Sequence, residues 1–162
     1  MNITIREVTI KDLDEVTKVE EKCFPKAEAA TKKSLEDRIN TFKESFFIAE
    51  LDNEVIGFIN GAIINETVIS DELYENSHLH VKDGDYQTIF GLDVIPRYRN
   101  KGIAAKLMNH MIDKAKKDGR KGVILTCKDR LIHYYEKFGY INKGVSNSIH
   151  GGAKWYDMIL EF

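Results

Sequence analysis

Only two cysteines occur, Cys23 and Cys127, far apart along 162 residues. That excludes a disulfide framework and offers no zinc-ligand spacing, so both read as small buried apolar side chains. No apolar run is long enough to span a membrane. Neither sign of charge dominates: Lys plus Arg is 24, Asp plus Glu is 26, and the formal net charge is −2. General nucleic-acid binding rests on a basic excess and is not expected, which leaves only a local basic patch open. Neither nucleic acid nor membrane is therefore expected as a partner. The segment Met1–Val16 has strand alternation and early acids, not the pattern of a signal peptide, so the expected location is the reduced cytoplasm. Repeats, low-complexity tracts and linkers are also missing. One domain over residues 1–162 is expected, and a chain of that size buries a core without staples.

What is present is a clear alternation of strand and helix patterns. Ile3, Ile5 and Val8 mark a first strand. Leu13, Val16, Val19 and Glu20 fall at helical spacing within Lys11–Lys22, and Pro25 breaks the chain after Phe24. Ser34 suits an N-cap for a second helix carrying Leu35, Arg38, Ile39 and Phe42. Phe46–Leu51 and Val55–Ile64 flank the polar turn Asp52-Asn53-Glu54 as an antiparallel hairpin. Residues 65–84 read as a long polar loop with a short helix near Asp71–Tyr74, and long loops in compact domains are often functional. A strand over about Tyr86–Val94 follows. Ile103, Ala104, Leu107, Met108, Met111, Ile112 and Ala115 share one face of a helix closed by Gly119. Gly122–Cys127 reads as a buried strand, Leu131–Phe138 as a short helix, and Tyr140–Val145 and Trp155–Leu160 as two closing strands. The order is β-α-α-β-β-β-α-β-α-β-β, a mixed α/β (α+β) domain around one sheet of about seven strands.

The junction before the long helix carries the chemistry. An apolar run ends at Pro96, a basic cluster of Arg97, Arg99 and Lys101 follows, and Gly102 opens the helix. Such a turn offers backbone N–H groups and a positive dipole to an anion, and Gly102 admits a ligand to close backbone approach. It has neither the P-loop spacing nor the Gly-x-Gly-x-x-Gly of a dinucleotide site.

Arg99-Asn100-Lys101-Gly102-Ile103-Ala104 instead resembles Arg/Gln-x-x-Gly-x-Gly/Ala, the acetyl-CoA pyrophosphate loop of the GNAT superfamily of N-acetyltransferases. The resemblance extends to the entering strand Leu92–Val94 and to the element order of nearly the whole chain. It implies a central, twisted, mostly antiparallel sheet with helices on both faces. It implies acetyl-CoA as cosubstrate and no metal. It places the pantetheine arm along Leu92, Asp93 and Val94, and the pyrophosphate on Arg99, Asn100, Lys101, Gly102, Ile103, Ala104 and Ala105.

Tyr134-Tyr135-Glu136-Lys137-Phe138-Gly139-Tyr140 is a second such segment. Packing accounts for Phe138, Gly139 and Tyr140, but adjacent helical tyrosines point about 100° apart and cannot serve one purpose. In the GNAT superfamily the corresponding segment carries a tyrosine general acid for the CoA thiolate, and the matching residue is Tyr135. Leu125–Asp129 and Cys23-Phe24-Pro25 resemble the arylalkylamine N-acetyltransferase-like branch. Thr88 and Phe90, however, stand where the animal enzymes of that branch have two histidines, so that proton route is missing.

The resemblance implies transfer of acetyl from acetyl-CoA to a small primary amine by direct attack. The alternatives are a protein N-terminal or lysine acetyltransferase and a non-catalytic acyl-CoA-binding module. The general base is open among Glu28, Asp93, Asp129 and the His78/His80 pair. Asp93 alternates against Leu92 and Val94, which turns it to solvent or to a neighbouring strand. His78 and His80 share a face if extended, but no third ligand accompanies them and a plain loop is preferred to a metal site. His110 and His133 read as helix-surface residues. The exposed closing strands leave room for a homodimer.

Overall fold

A computed structural model describes residues 1–162. The chain runs β1 (Thr4–Glu7), α1 (Leu13–Cys23), α2 (Lys32–Phe42), β2 (Phe46–Leu51), β3 (Glu54–Asn60), β4 (Ile63–Ile64) and α3 (Asp71–Glu75). It continues through β5 (Tyr86–Ile89), β6 (Gly91–Val94), α4 (Ile103–Lys117), β7 (Gly122–Cys127), α5 (Ile132–Glu136), β8 (Ile141–Val145) and β9 (Tyr156–Glu161). This is the mixed α/β order anticipated from the residue pattern. No helix is long and apolar enough to cross a membrane.

The strands form two hydrogen-bonded sets. One has the order β1-β2-β3-β6 and is antiparallel throughout; the other has the order β4-β5-β7-β9-β8, with β5–β7 its one parallel pair. The stretches 55–64 and 86–94, expected as single strands, are each broken where they cross. A Cβ built on Gly61 would lie 1.8 Å from the Thr88 carbonyl oxygen, so only glycine permits this approach. Phe90 N–H donates to Asn60 O at 2.7 Å just beyond it. Period-two alternation carries no information about such a one-residue offset, which is why the break is absent from the sequence reading. Joined across both breaks, the sets make one twisted sheet of about seven strands. Helices α1 and α2 cover one face; α4 and α5 cover the other.

Local chemistry explains most elements. Thr31, not Ser34, caps α2: its Oγ1 accepts from Ser34 N–H at 3.1 Å, so Ser34 is the satisfied donor of the first turn. Asp52 and Asn53 take φ of 50° and 65°, the left-handed pair that a two-residue hairpin turn requires. Helix α4 buries Ile103, Leu107, Met108, Met111, Ile112 and Ala115 and leaves Asn109, Asp113, Lys116 and Lys117 outside. The 65–84 loop contains α3 and a 3₁₀ turn at Ser77–Leu79. Ile69 and Leu73 pin it into a small core with Ile64, Tyr86, Ile124 and Ile159.

Candidate active site

β5 runs beside β7 only as far as the Ile89–Leu125 pair. Beyond it, Thr126 and Cys127 pair with β9, while β6 pairs with β3. The strands part, and the gap opens into a cleft of about 660 Å³ that reaches from the 98–105 turn to the α1–α2 loop and α5. Ile95 N–H donates to Ile56 O across β3, so by alternation Leu92 and Val94 turn their backbone groups to the open edge. Val94 O is already occupied, by Arg99 Nε at 3.0 Å and Cys23 Sγ at 3.4 Å.

At the turn, Asn100 and Gly102 take φ of 62° and 79°. Gly102 is the N-cap of α4 and supplies no side-chain cap. The first α4 donor with a carbonyl partner is Lys106 N–H, onto Gly102 O at 3.1 Å, which leaves the N–H groups of Ile103, Ala104 and Ala105 without helical partners. Arg99, Asn100, Gly102, Ala104 and Ala105 line the cleft together with Ile103. Lys101 is exposed and lies outside it. Arg97 turns away to pair with Glu54 on the surface.

Tyr135 enters from α5 and lines the cleft, with Tyr134 packed edge-on at 5.2 Å and Tyr140 at 6.0 Å. Burial, reinforced by the neighbouring Cys127, pushes its phenol well above the ordinary range. The hydroxyl therefore keeps its proton at neutral pH, the state a general acid needs.

Aromatic side chains and interlocked loops build the opposite end. Tyr74 stacks on His150 at 5.2 Å and packs 4.9 Å from Phe90; its hydroxyl pairs with Thr126 Oγ1 at 2.8 Å, and burial pushes the phenol up to about 12. Asp71 accepts from Ser148 Oγ and from Ile149 N–H, tying the 65–84 loop to the β8–β9 loop. His150 Nε2 meets Glu28 O at 2.9 Å, tying that loop to the segment after α1.

The expected base candidates scatter. Glu28 is held by Lys128 at 2.8 Å. Asp129 and His78 are exposed. His80 is half-buried and its Nδ1 accepts from Ile63 N–H at 3.0 Å. No group of three His, Cys, Asp or Glu side chains is placed to hold a metal ion. Thr88 is fully buried and donates to Ala62 O at 2.7 Å. Asp93 requires correction in part: it does not face solvent. It is 1% exposed, its side chain turns from the cleft edge toward α1 and α2, and it faces Glu20 and Arg38. Glu20 and Arg38 themselves reach the cleft wall, and no role was expected for either. The signal existed, because both charges occupy the apolar stripes of their helices.

Residues 13–140 match the model of the acetyltransferase (GNAT) family. Among curated proteins, the probable hydrolase YhcX of Bacillus subtilis (strain 168) is 25% identical over 140 residues, 82% of this chain and 27% of that protein. The chain thus spans about a quarter of the length of the curated relative it matches. Among solved structures, the GphF GNAT-like decarboxylase in complex with isobutyryl-CoA superposes with a TM-score of 0.85 at 18% identity over 98% of each chain. The PaiA N-acetyltransferase of Thermoplasma acidophilum in complex with coenzyme A gives a TM-score of 0.75 at 18% identity over 100% of each chain. At these identities the likeness is one of fold.

Proposed function

The chain belongs to the GNAT acetyltransferase family, and from that premise we propose that it is an acetyl-CoA-dependent N-acetyltransferase whose acceptor is a small primary amine. One observation carries the reading: a single cleft joins the open N-terminus of α4, the free edge of β6 and the protonated phenol of Tyr135. The relatives' ligands, isobutyryl-CoA and coenzyme A, support an acyl-CoA here. The pyrophosphate of acetyl-CoA would rest on the N–H groups of Ile103–Ala105 with Arg99 beside them. The pantetheine amides would pair with the outward backbone groups of Leu92 and the Val94 N–H. The same free edge offers a donor to the thioester oxygen as negative charge develops on it. The amine nitrogen attacks the thioester carbon, the C–S bond breaks, and Tyr135 delivers its proton to the leaving sulfur. The acceptor end supports a small substrate, because ties from Asp71 and His150 draw three loops around it.

Thiol release from acetyl-CoA, measured over arylalkylamines, polyamines, amino compounds and peptides, tests the proposal. Release with one or more small amines is the expected result. Release with peptides alone would move the acceptor to a protein N-terminus or lysine. Tight CoA binding with no release would leave a binding module.

A further inference from the structure

Three charged side chains stand in positions whose spacing is otherwise apolar, and they meet. Glu20 lies in the buried stripe of α1, Arg38 in that of α2, and Asp93 on the inward face of β6, with exposures of 6%, 5% and 1%. The carboxyls of Glu20 and Asp93 face one another, and both oxygens of Asp93 are buried without a hydrogen-bond partner. Glu20 Oε2 accepts from Ala30 N–H at 2.7 Å. The Arg38 guanidinium donates to Asn60 Oδ1 at 3.2 Å and to Tyr74 O at 2.8 Å, leaving its Nε unpaired. Glu20 and Arg38 both line the cleft, together with Leu92 and Val94 of β6 and with Tyr74 and Phe90. Two buried carboxyls on packed elements, α1 and β6, with Asp93 oxygens that lack any donor, make a vacancy for a proton.

We propose that Glu20 and Asp93 form a carboxyl pair that accepts the proton released by the attacking amine and holds it as one shared proton. The inference rests on the N-acetyltransferase reading above. An amine enters as RNH3⁺ and gives one proton to the pair through Glu20. The free amine forms the N–C bond, the C–S bond breaks, and Tyr135 protonates the thiolate. The second N–H proton of the adduct restores Tyr135, and the pair returns its proton to solvent once the amide leaves. Glu20 is thus the catalytic member and Asp93 the positioning one. Burial first, and Glu20 next, push Asp93 well above the usual carboxylate range. That brings the shared step toward working pH, where a general base is most effective. Besides each other, Cys23 from α1, Arg38 from α2 and Tyr135 from α5 are the titratable groups against the pair. Burial pushes both the Cys23 thiol and the Tyr135 phenol up, away from that step.

The test compares wild type, Glu20→Gln and Asp93→Asn for acetyl-CoA affinity and for the pH dependence of kcat/KM with the best amine of the panel. Each variant should hold acetyl-CoA within about twofold and lose on the order of 10²-fold in kcat. In each, the acidic limb of the profile should move down by more than about one pH unit, since a lone carboxylate binds its proton less tightly than a pair. A purely structural role would not move that limb. Folding of each variant is checked by circular dichroism, and either alone suffices. A wild-type limb near pH ~4, the ordinary carboxylate value, overturns the inference. So do variants with unchanged turnover and an unmoved limb in an active enzyme. A wild type that binds acetyl-CoA but acetylates nothing overturns the transferase reading, and the inference with it.

Discussion

Arg99 donates its Nε–H to the Val94 carbonyl at 3.0 Å, folding a basic side chain of the turn back onto the strand that leads into it. The contact holds the turn against β6, so under the proposed acetyl-CoA reading the N–H groups of Ile103–Ala105 would be preorganised rather than assembled on binding. Replacing Arg99 by Ala should weaken acetyl-CoA binding by about 1.5–3 kcal/mol, the range for a hydrogen bond involving a charged group. Titration calorimetry reads this directly. An affinity within twofold of wild type would remove Arg99 from the binding machinery.

Tyr135→Phe keeps the packing against Tyr134 and Tyr140 and removes only the hydroxyl. The expected result is a fall in kcat of about 10²–10⁴-fold with acetyl-CoA affinity preserved. Because burial raises its phenol, the Tyr135 proton is retained below the ordinary tyrosine range. Any alkaline loss of activity below pH ~10 therefore belongs to another group. Single-turnover kinetics of this variant, alongside calorimetry, separate chemistry from binding.

Asp93 makes stability depend on pH in a direction opposite to most carboxylates. Its folded-state pKa is raised, so the native state binds the proton more tightly than the unfolded chain. The stability Asp93 contributes is therefore fully present below the unfolded value of about 3.9 and is lost as pH rises through the folded value. Wild type should lose more stability than Asp93→Asn between pH 5 and 8 in urea unfolding. Parallel pH slopes for the two proteins would refute this.

Gly61→Ala places a Cβ 1.8 Å from the Thr88 carbonyl oxygen, a backbone atom that cannot swing aside. The change should cost about 1–3 kcal/mol or more, as overpacking does. The denaturation midpoint should fall accordingly. An unshifted midpoint would mean that the β3–β4 crossing relaxes freely.

Much of the fold was readable because local signals agreed. Helix α4 declared itself through one apolar face bounded by Gly102 and Gly119, and the hairpin through Asp52-Asn53. The strand breaks at Gly61 and Phe90 were not readable, since they arise where two distant segments cross. At the site, a basic glycine-containing turn and paired tyrosines are local patterns and could be singled out. Glu20, Arg38 and Asp93 could be seen only as charges at odds with their stripes. Nothing in α1 alone indicates that a carboxyl waits for it on β6.

The sequence by itself determined the elements, the basic glycine-containing turn before α4 and the tyrosine pair on α5, because each depends on residues within a few positions of one another. Tertiary structure alone decided that β6 and β7 part to open the cleft and that loops 65–84 and 146–155 interlock at its aromatic end. It also decided that Glu20 and Asp93 share one buried space. Those relations depend on long-range packing, where burial and the nearness of like charges set the chemistry of a group, and no local spacing encodes either.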